Sequence, residues 1–154
     1  MAIDTDVDII SAVKVALADG SVVCRARDYG CSEMVKRGVT GCMVTFGSRS
    51  SCTYVRLYDK GAEQVSKGLV VTEGPWFRLE FEYKGRAAVR VADLVRAGDF
   101  EAVRGAMLAH LDVKVRGADS NRSRWVTAAW WSELLGTVVK VPLGLAKRAG
   151  SSIS

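Results

Sequence analysis

The chain has 154 residues, 49% hydrophobic and 25% charged, with 22 Lys and Arg against 17 Asp and Glu for a net charge of +5. This composition suits one packed domain and excludes a largely disordered chain, while apolar runs such as Gly68-Leu-Val-Val are too short to cross a bilayer. The basic balance favours a polyanionic partner, and Cys24, Cys31, Cys42 and Cys52 lack the paired spacing of a zinc site, so they read as reduced thiols of a soluble cytoplasmic protein.

Met1-Ala2-Ile3-Asp4 reads as the end of a strand. Residues 6–18 then carry Ile9, Ile10, Val13 and Leu17 at helical spacing, with Gly20 placed to stop the helix. Residues 20–26 suit a short strand, and 28–40 read as a polar connection rich in turn residues. Two β-like runs, 42–47 and 53–59, flank Ser48-Arg49-Ser50-Ser51-Cys52, a composition suited to a hairpin loop, so antiparallel pairing is expected. A helix is expected within 61–74, and Pro75 leads into a third strand over 76–83. Helical periodicity returns at 87–97 and 100–111, separated by Gly98, with Asp99 as N-cap of the second helix. A basic connection holding Arg116, Arg122 and Arg124 precedes a short amphipathic helix over 127–135, closed by Gly136. A strand is expected at 138–145, and a disordered tail at 149–154 after a single domain over 1–148.

Side chains alternate along a strand, so Tyr54, Arg56 and Tyr58 share one face while Val55 and Leu57 share the other. The same rule sets Arg78, Glu80 and Glu82 against Phe77, Leu79, Phe81 and Tyr83. The expected fold class is therefore α+β, an antiparallel sheet with one polar face and helices packed on the other. If these strands are neighbours, the polar face gathers arginines, a tyrosine and carboxylates around one ligand. A solvated face decorated with cross-strand Arg–Glu pairs gives the same alternation, so the pattern leaves both readings open.

The run Gly47-Ser-Arg-Ser-Ser51, then Tyr54-x-Arg56-x-Tyr58-Asp59-Lys60-x-x-Glu63, then Arg78-x-Glu80, resembles the Rep-trans superfamily of rolling-circle plasmid and filamentous-phage replication initiators. Members look like G-S-R-x-S, R-x-Y-D-K-x-x-E and an R-x-E strand in that order, and the similarity continues to Trp130-Trp131-Ser-Glu-Leu-Leu. The resemblance implies a metal-dependent nicking-closing endonuclease. Its strand tyrosine, here Tyr58, attacks a phosphodiester of origin DNA, forms a 5′-phosphotyrosyl bond and frees a 3′-hydroxyl. Lys60 is then placed to favour the phenolate or neutralise phosphate charge, and Arg49, Ser50, Arg56 and Arg78 to contact DNA, single-stranded or cruciform. Tyr54, Trp76 and Tyr83 are candidate platforms for unpaired bases, with core packing the favoured use of Tyr83. Asp4 and Glu80 are the implied ligands for Mg²⁺ or Mn²⁺, with Glu82 and Glu63 in reserve. His110 is the only histidine, which excludes a His-x-His metal pair. The alternative is a non-catalytic DNA-binding fragment of such an initiator.

Family members also carry a strand resembling R-x-D-x-A-x-D, of which Ala2-Ile3-Asp4 looks like the end. This implies a sheet incomplete at its N-terminus, the C-terminal portion of the catalytic domain, and either weak stability or self-association as a dimer.

Overall fold

The computed structural model describes residues 1–69, 73–136, 138 and 140–143. The chain opens with β1 (Ala2–Thr5) and α1 (Ile9–Asp19), a helix whose ends are set by local chemistry. The Asp8 carboxylate accepts from the Ser11 N–H at 3.0 Å, and Gly20 takes a left-handed conformation (φ 74°) that a side chain would strain. Then come β2 (Val22–Cys24), a hairpin of β3 (Tyr29–Lys36) and β4 (Val39–Phe46), and β5 (Thr53–Asp59). β5 runs without a gap into α2 (Lys60–Ser66) because Asp59 turns the chain: its carboxylate accepts from the Ala62 N–H at 2.8 Å. The remaining elements are β6 (Phe77–Tyr83), α3 (Gly85–Arg96), α4 (Phe100–His110), β7 (Leu111–Val113) and α5 (Ala129–Leu135).

Five strands form one antiparallel sheet in the order β1-β6-β5-β4-β3, and β2 pairs with β7 in a separate two-stranded ribbon. On one face Val44, Phe46, Val55, Leu57, Leu79 and Phe81 are each at most 1% exposed. They share a core with Ile9, Ile10 and Val13 of α1, Met107 of α4 and Trp131 of α5. This is the expected α+β layering, driven by burial of the apolar row of each strand. No helix among the described residues is long and apolar enough to cross a membrane.

Four elements differ from the sequence-based expectation. Residues 28–40 form β3 and its turn instead of an irregular connection. All eight β3 residues are exposed, so no buried row imposes a hydrophobic alternation, and the strand is held by backbone pairing with β4. Its turn is Arg37-Gly38, both with positive φ (52° and 76°), the geometry a two-residue hairpin loop demands. The helix expected to include Leu111 stops at His110, because Leu111 is fully buried in β7 opposite Cys24. The helix expected within 61–74 begins at Lys60, where the Asp59 cap starts it, and ends at Ser66. Of the strand expected at 138–145, residues 138 and 140–143 belong to no strand, and the others, with the tail at 149–154, lie outside the described residues.

His110 lies edge-on to Phe81, ring centroids 6.3 Å apart. Burial, and next the Arg25 charge, push its pKa down from 6.5 to about 4. Between those values the unfolded chain binds the proton and the folded chain does not, so stability is expected to fall as pH drops through the window, by on the order of 2 kcal/mol. Thermal melts from neutral pH to pH 4 should show a smaller loss for His110→Phe than for wild type. Equal losses would remove His110 as the cause.

Candidate active site

Directly opposed residues in an antiparallel sheet point to the same side, and the register of β1, β6 and β5 builds two polar rows. Asp4 lies opposite Arg78 and Arg78 opposite Tyr58, while Glu80 lies opposite Arg56. The Tyr58 hydroxyl donates to Glu80 Oε2 at 3.1 Å, and Arg56 Nη2 pairs with the other carboxylate oxygen. Arg78 grips Asp4 with two bonds, Nε to Oδ1 at 2.7 Å and Nη2 to Oδ2 at 3.2 Å. The Tyr58 ring lies 5.5 Å from the Arg56 guanidinium and 5.7 Å from Lys60 Nζ.

One helix departs from the expectation that helices cover only the apolar face. Because Asp59 reverses the chain directly after Tyr58, α2 leans over the polar face at this end of the sheet. Ala62 and Glu63 of α2 and Lys67 at its C-terminal cap, with Lys36, Val39 and Met43 of the β3–β4 hairpin, wall a cavity of about 540 Å³ that also holds Arg56, Tyr58, Arg78 and Glu80. Five cations (Lys36, Arg56, Lys60, Lys67, Arg78) line it against three acids (Asp59, Glu63, Glu80), which suits an anionic ligand. Arg56 Nε is buried without a hydrogen-bond partner among the described residues, a donor that an oxyanion would satisfy. Lys36 and Lys67 escaped sequence reasoning. The Arg37-Gly38 turn was the signal that could have placed Lys36, whereas Lys67 is found from the helix that Asp59 starts. A second cavity of about 480 Å³, lined by Tyr83, Ala106 and His110, contains none of these groups.

Tyr58 is only 6% exposed. Burial, then the charges of Glu80 and Glu63, push its phenol up to about 12, so it is protonated at neutral pH. Burial also opposes ionisation of Glu80, but the Arg56 hydrogen bond and charge outweigh it and hold that carboxyl below its ordinary range. The Arg78 hydrogen bond does the same for Asp4, and in return Asp4 raises the pKa of Arg78. A protonated phenol therefore faces an ionised carboxylate, the starting arrangement for proton transfer.

The other expected residues divide between two places. Lys60 joins the Tyr58 cluster, its ammonium 3.2 Å from Glu63. Arg49 and Ser50 sit in the loop at the opposite end of β5: Arg49 lies 5.5 Å over the Tyr54 ring and 3.8 Å from Glu82, and Ser50 Oγ is 2.9 Å from Ser48 Oγ. Tyr54 and Tyr58 are separated by about 13 Å of strand. Asp4 and Glu80 project from the same face beside Arg78. Among the described residues no three potential ligands converge. Two carboxylates are the donor type Mg²⁺ takes, with water and substrate oxygens completing the shell, but Arg78 holds both oxygens of Asp4 and Arg56 and Tyr58 hold those of Glu80, so a bound cation would displace one of these partners.

The sequence profile of the Rep_trans family, described as replication initiation factor, matches residues 5–152. NicK of Bacillus subtilis (strain 168), provisionally described as a DNA relaxase, is 32% identical over 125 residues, covering 77% of this chain and 35% of NicK. The structure of the rolling circle replication initiator protein from Geobacillus stearothermophilus aligns with a TM-score of 0.71 at 28% identity, covering 93% of this chain and 56% of that one. The chain thus spans about a third of one relative and just over half of the other. With the profile match running through nearly the whole chain, and the Arg-x-Tyr-Asp-Lys and Arg-x-Glu strands side by side in its sheet, this chain belongs to the Rep_trans family of replication initiation factors.

Proposed function

We propose that this chain carries the DNA-cleaving centre of a rolling-circle replication initiator, acting in the cytoplasm on single-stranded origin DNA with Tyr58 as nucleophile. One observation carries the reading: the Tyr58 hydroxyl, the Glu80 carboxylate and the guanidinium groups of Arg56 and Arg78 share one sheet face inside a cationic cavity. A phenol with a pKa near 12 must lose its proton as it attacks, and Glu80 Oε2 at 3.1 Å is the acceptor in reach. In the proposed step the Tyr58 oxygen bonds to phosphorus, its proton passes to Glu80, and the P–O3′ bond breaks. The 3′-oxygen takes a proton from water and leaves as a hydroxyl, with the 5′-phosphate esterified to Tyr58. Attack by a 3′-hydroxyl on that ester reverses the step and rejoins the strand. Arg56, whose Nε has no partner among the described residues, and Arg78 would hold the non-bridging oxygens, and Lys60 would offset charge beside the ring.

Asp4 and Glu80 would hold Mg²⁺ or Mn²⁺, which when bound withdraws charge from the phosphate. Metal at about ten times its dissociation constant is expected to stabilise the fold by about 1.4 kcal/mol, a rise in Tm of about 3–5 °C. Asp4→Asn should lose that rise in a melt taken without DNA. An unchanged rise would free Asp4 of the role.

The test of the reaction is covalent. Protein incubated with Mn²⁺ and a random-sequence single-stranded DNA pool should yield a denaturation-resistant adduct that peptide mapping places on Tyr58. An adduct on another residue overturns the assignment. The low exposure of Tyr58 supports a second reading, a non-catalytic DNA-binding fragment, and salt-sensitive binding with no adduct is its signature.

A further inference from the structure

We infer that Arg25, Arg27, Arg116 and Arg122 form a second nucleic-acid surface, one that grips the phosphate backbone of duplex DNA on the side of the sheet opposite Tyr58. This rests on the proposed reading that the chain works on DNA. Three of the four side chains are aimed by main-chain carbonyls at helix C-termini. Arg25 Nε donates to the Ala109 carbonyl at 3.2 Å, Arg116 Nη1 to that of Asp19 at 2.8 Å, and Arg122 Nη1 to that of Gly20 at 3.0 Å. The negative end of a helix favours a cation there, and a guanidinium with five N–H donors keeps others free after one or two are used. Arg116 is further held 5.6 Å over the ring of Trp125.

Capping of helix ends accounts for these three separately but not for Arg27, which is exposed and makes no hydrogen bond or ion pair among the described residues. Arg27 joins the set into one surface: it lines a groove with Arg122, Gly20 and Tyr29, and the neighbouring cavity with Arg25. The acids close by are Asp19, 3.7 Å from Arg116, and the exposed Asp28, while Asp119 is engaged by Arg124 at 3.3 Å. The balance is therefore positive. Tyr29 and Phe46 of the same groove belong to the sheet face opposite Tyr58, which sets this surface apart from the cleavage site.

Duplex suits this surface better than a single strand. Trp125, the ring beneath Arg116, is only 9% exposed, and Tyr29, 58% exposed in the groove, is a single ring and not the row of stacking platforms a single strand uses, whereas four arginines, three of them preset on carbonyls, suit backbone phosphates. On the Tyr58 face Tyr54 is itself only 8% exposed and covered by Arg49, so of the two rings expected there as platforms only the half-buried Trp76 is open to a base.

The experiment is fluorescence anisotropy of the full chain on a duplex and on a single strand of equal length, across about 50 to 300 mM salt. The double variant Arg27→Ala/Arg122→Ala should bind duplex at least about tenfold more weakly at physiological salt, with the slope of log K against log salt reduced by about 2, near 0.9 per lost phosphate contact. The Arg27→Lys/Arg122→Lys pair keeps the charges and should restore the slope, which separates charge from any damage to the α1 end. A duplex slope equal to wild type in the alanine variant overturns the inference, and an equal loss on both DNAs overturns the assignment to duplex. A wild-type chain that binds neither DNA would instead overturn the functional reading on which this rests.

Discussion

Tyr58→Phe is expected to abolish adduct formation and strand cleavage, a drop of at least about 10³-fold, while DNA affinity stays within about twofold. The substitution removes one oxygen and leaves the ring between Arg56 and Lys60. The oxygen is the proposed attacking atom, and no other hydroxyl donates to Glu80 among the described residues. Structurally the cost is one hydrogen bond, about 1 kcal/mol, because Glu80 keeps its ion pair with Arg56. The variant should therefore fold, bind DNA and fail only in the covalent step. Denaturing gels of end-labelled DNA, with urea melts beside them, separate these effects. Wild-type levels of adduct from the phenylalanine variant would remove Tyr58 from the mechanism.

Trp131→Ala should produce the largest loss of stability, about 3–5 kcal/mol, or a fall in Tm of about 10 °C or more. Trp131 is 0% exposed, and its indole Nε1 donates to the Leu111 carbonyl at 3.2 Å. The ring ties α5 both to the sheet core and to β7, and Trp130 packs edge-on against it with centroids 5.5 Å apart. Removing the indole opens a cavity and leaves a buried carbonyl without that donor, two costs that add. Trp130→Ala, at a half-buried position, should cost less than half as much. Urea titration of the three proteins measures the difference. A Trp131→Ala loss below about 1 kcal/mol would mean that α5 does not anchor the core.

The polar face was legible before any coordinates because its cause is local. A strand has a side-chain period of two whatever it pairs with, so Arg56 and Tyr58, and likewise Arg78 and Glu80, had to share a side. Asp59 was visible in the same stretch but was not recognised as a cap, and recognising it places Lys60, Glu63 and Lys67 over the tyrosine. The β3 strand was invisible for the opposite reason: with both faces in solvent it leaves no hydrophobic imprint.

From its residues alone this protein reveals which side chains can act together on one strand face, and from the family motifs what chemistry they suit. That Asp4 meets Arg78 across 74 residues, that the phenol is buried against Glu80, and that a hairpin and a short helix wall it into a cationic cavity were settled only by tertiary structure. Facing is dictated by the backbone of each segment, whereas register, burial and partner choice arise when distant strands pair and share a core.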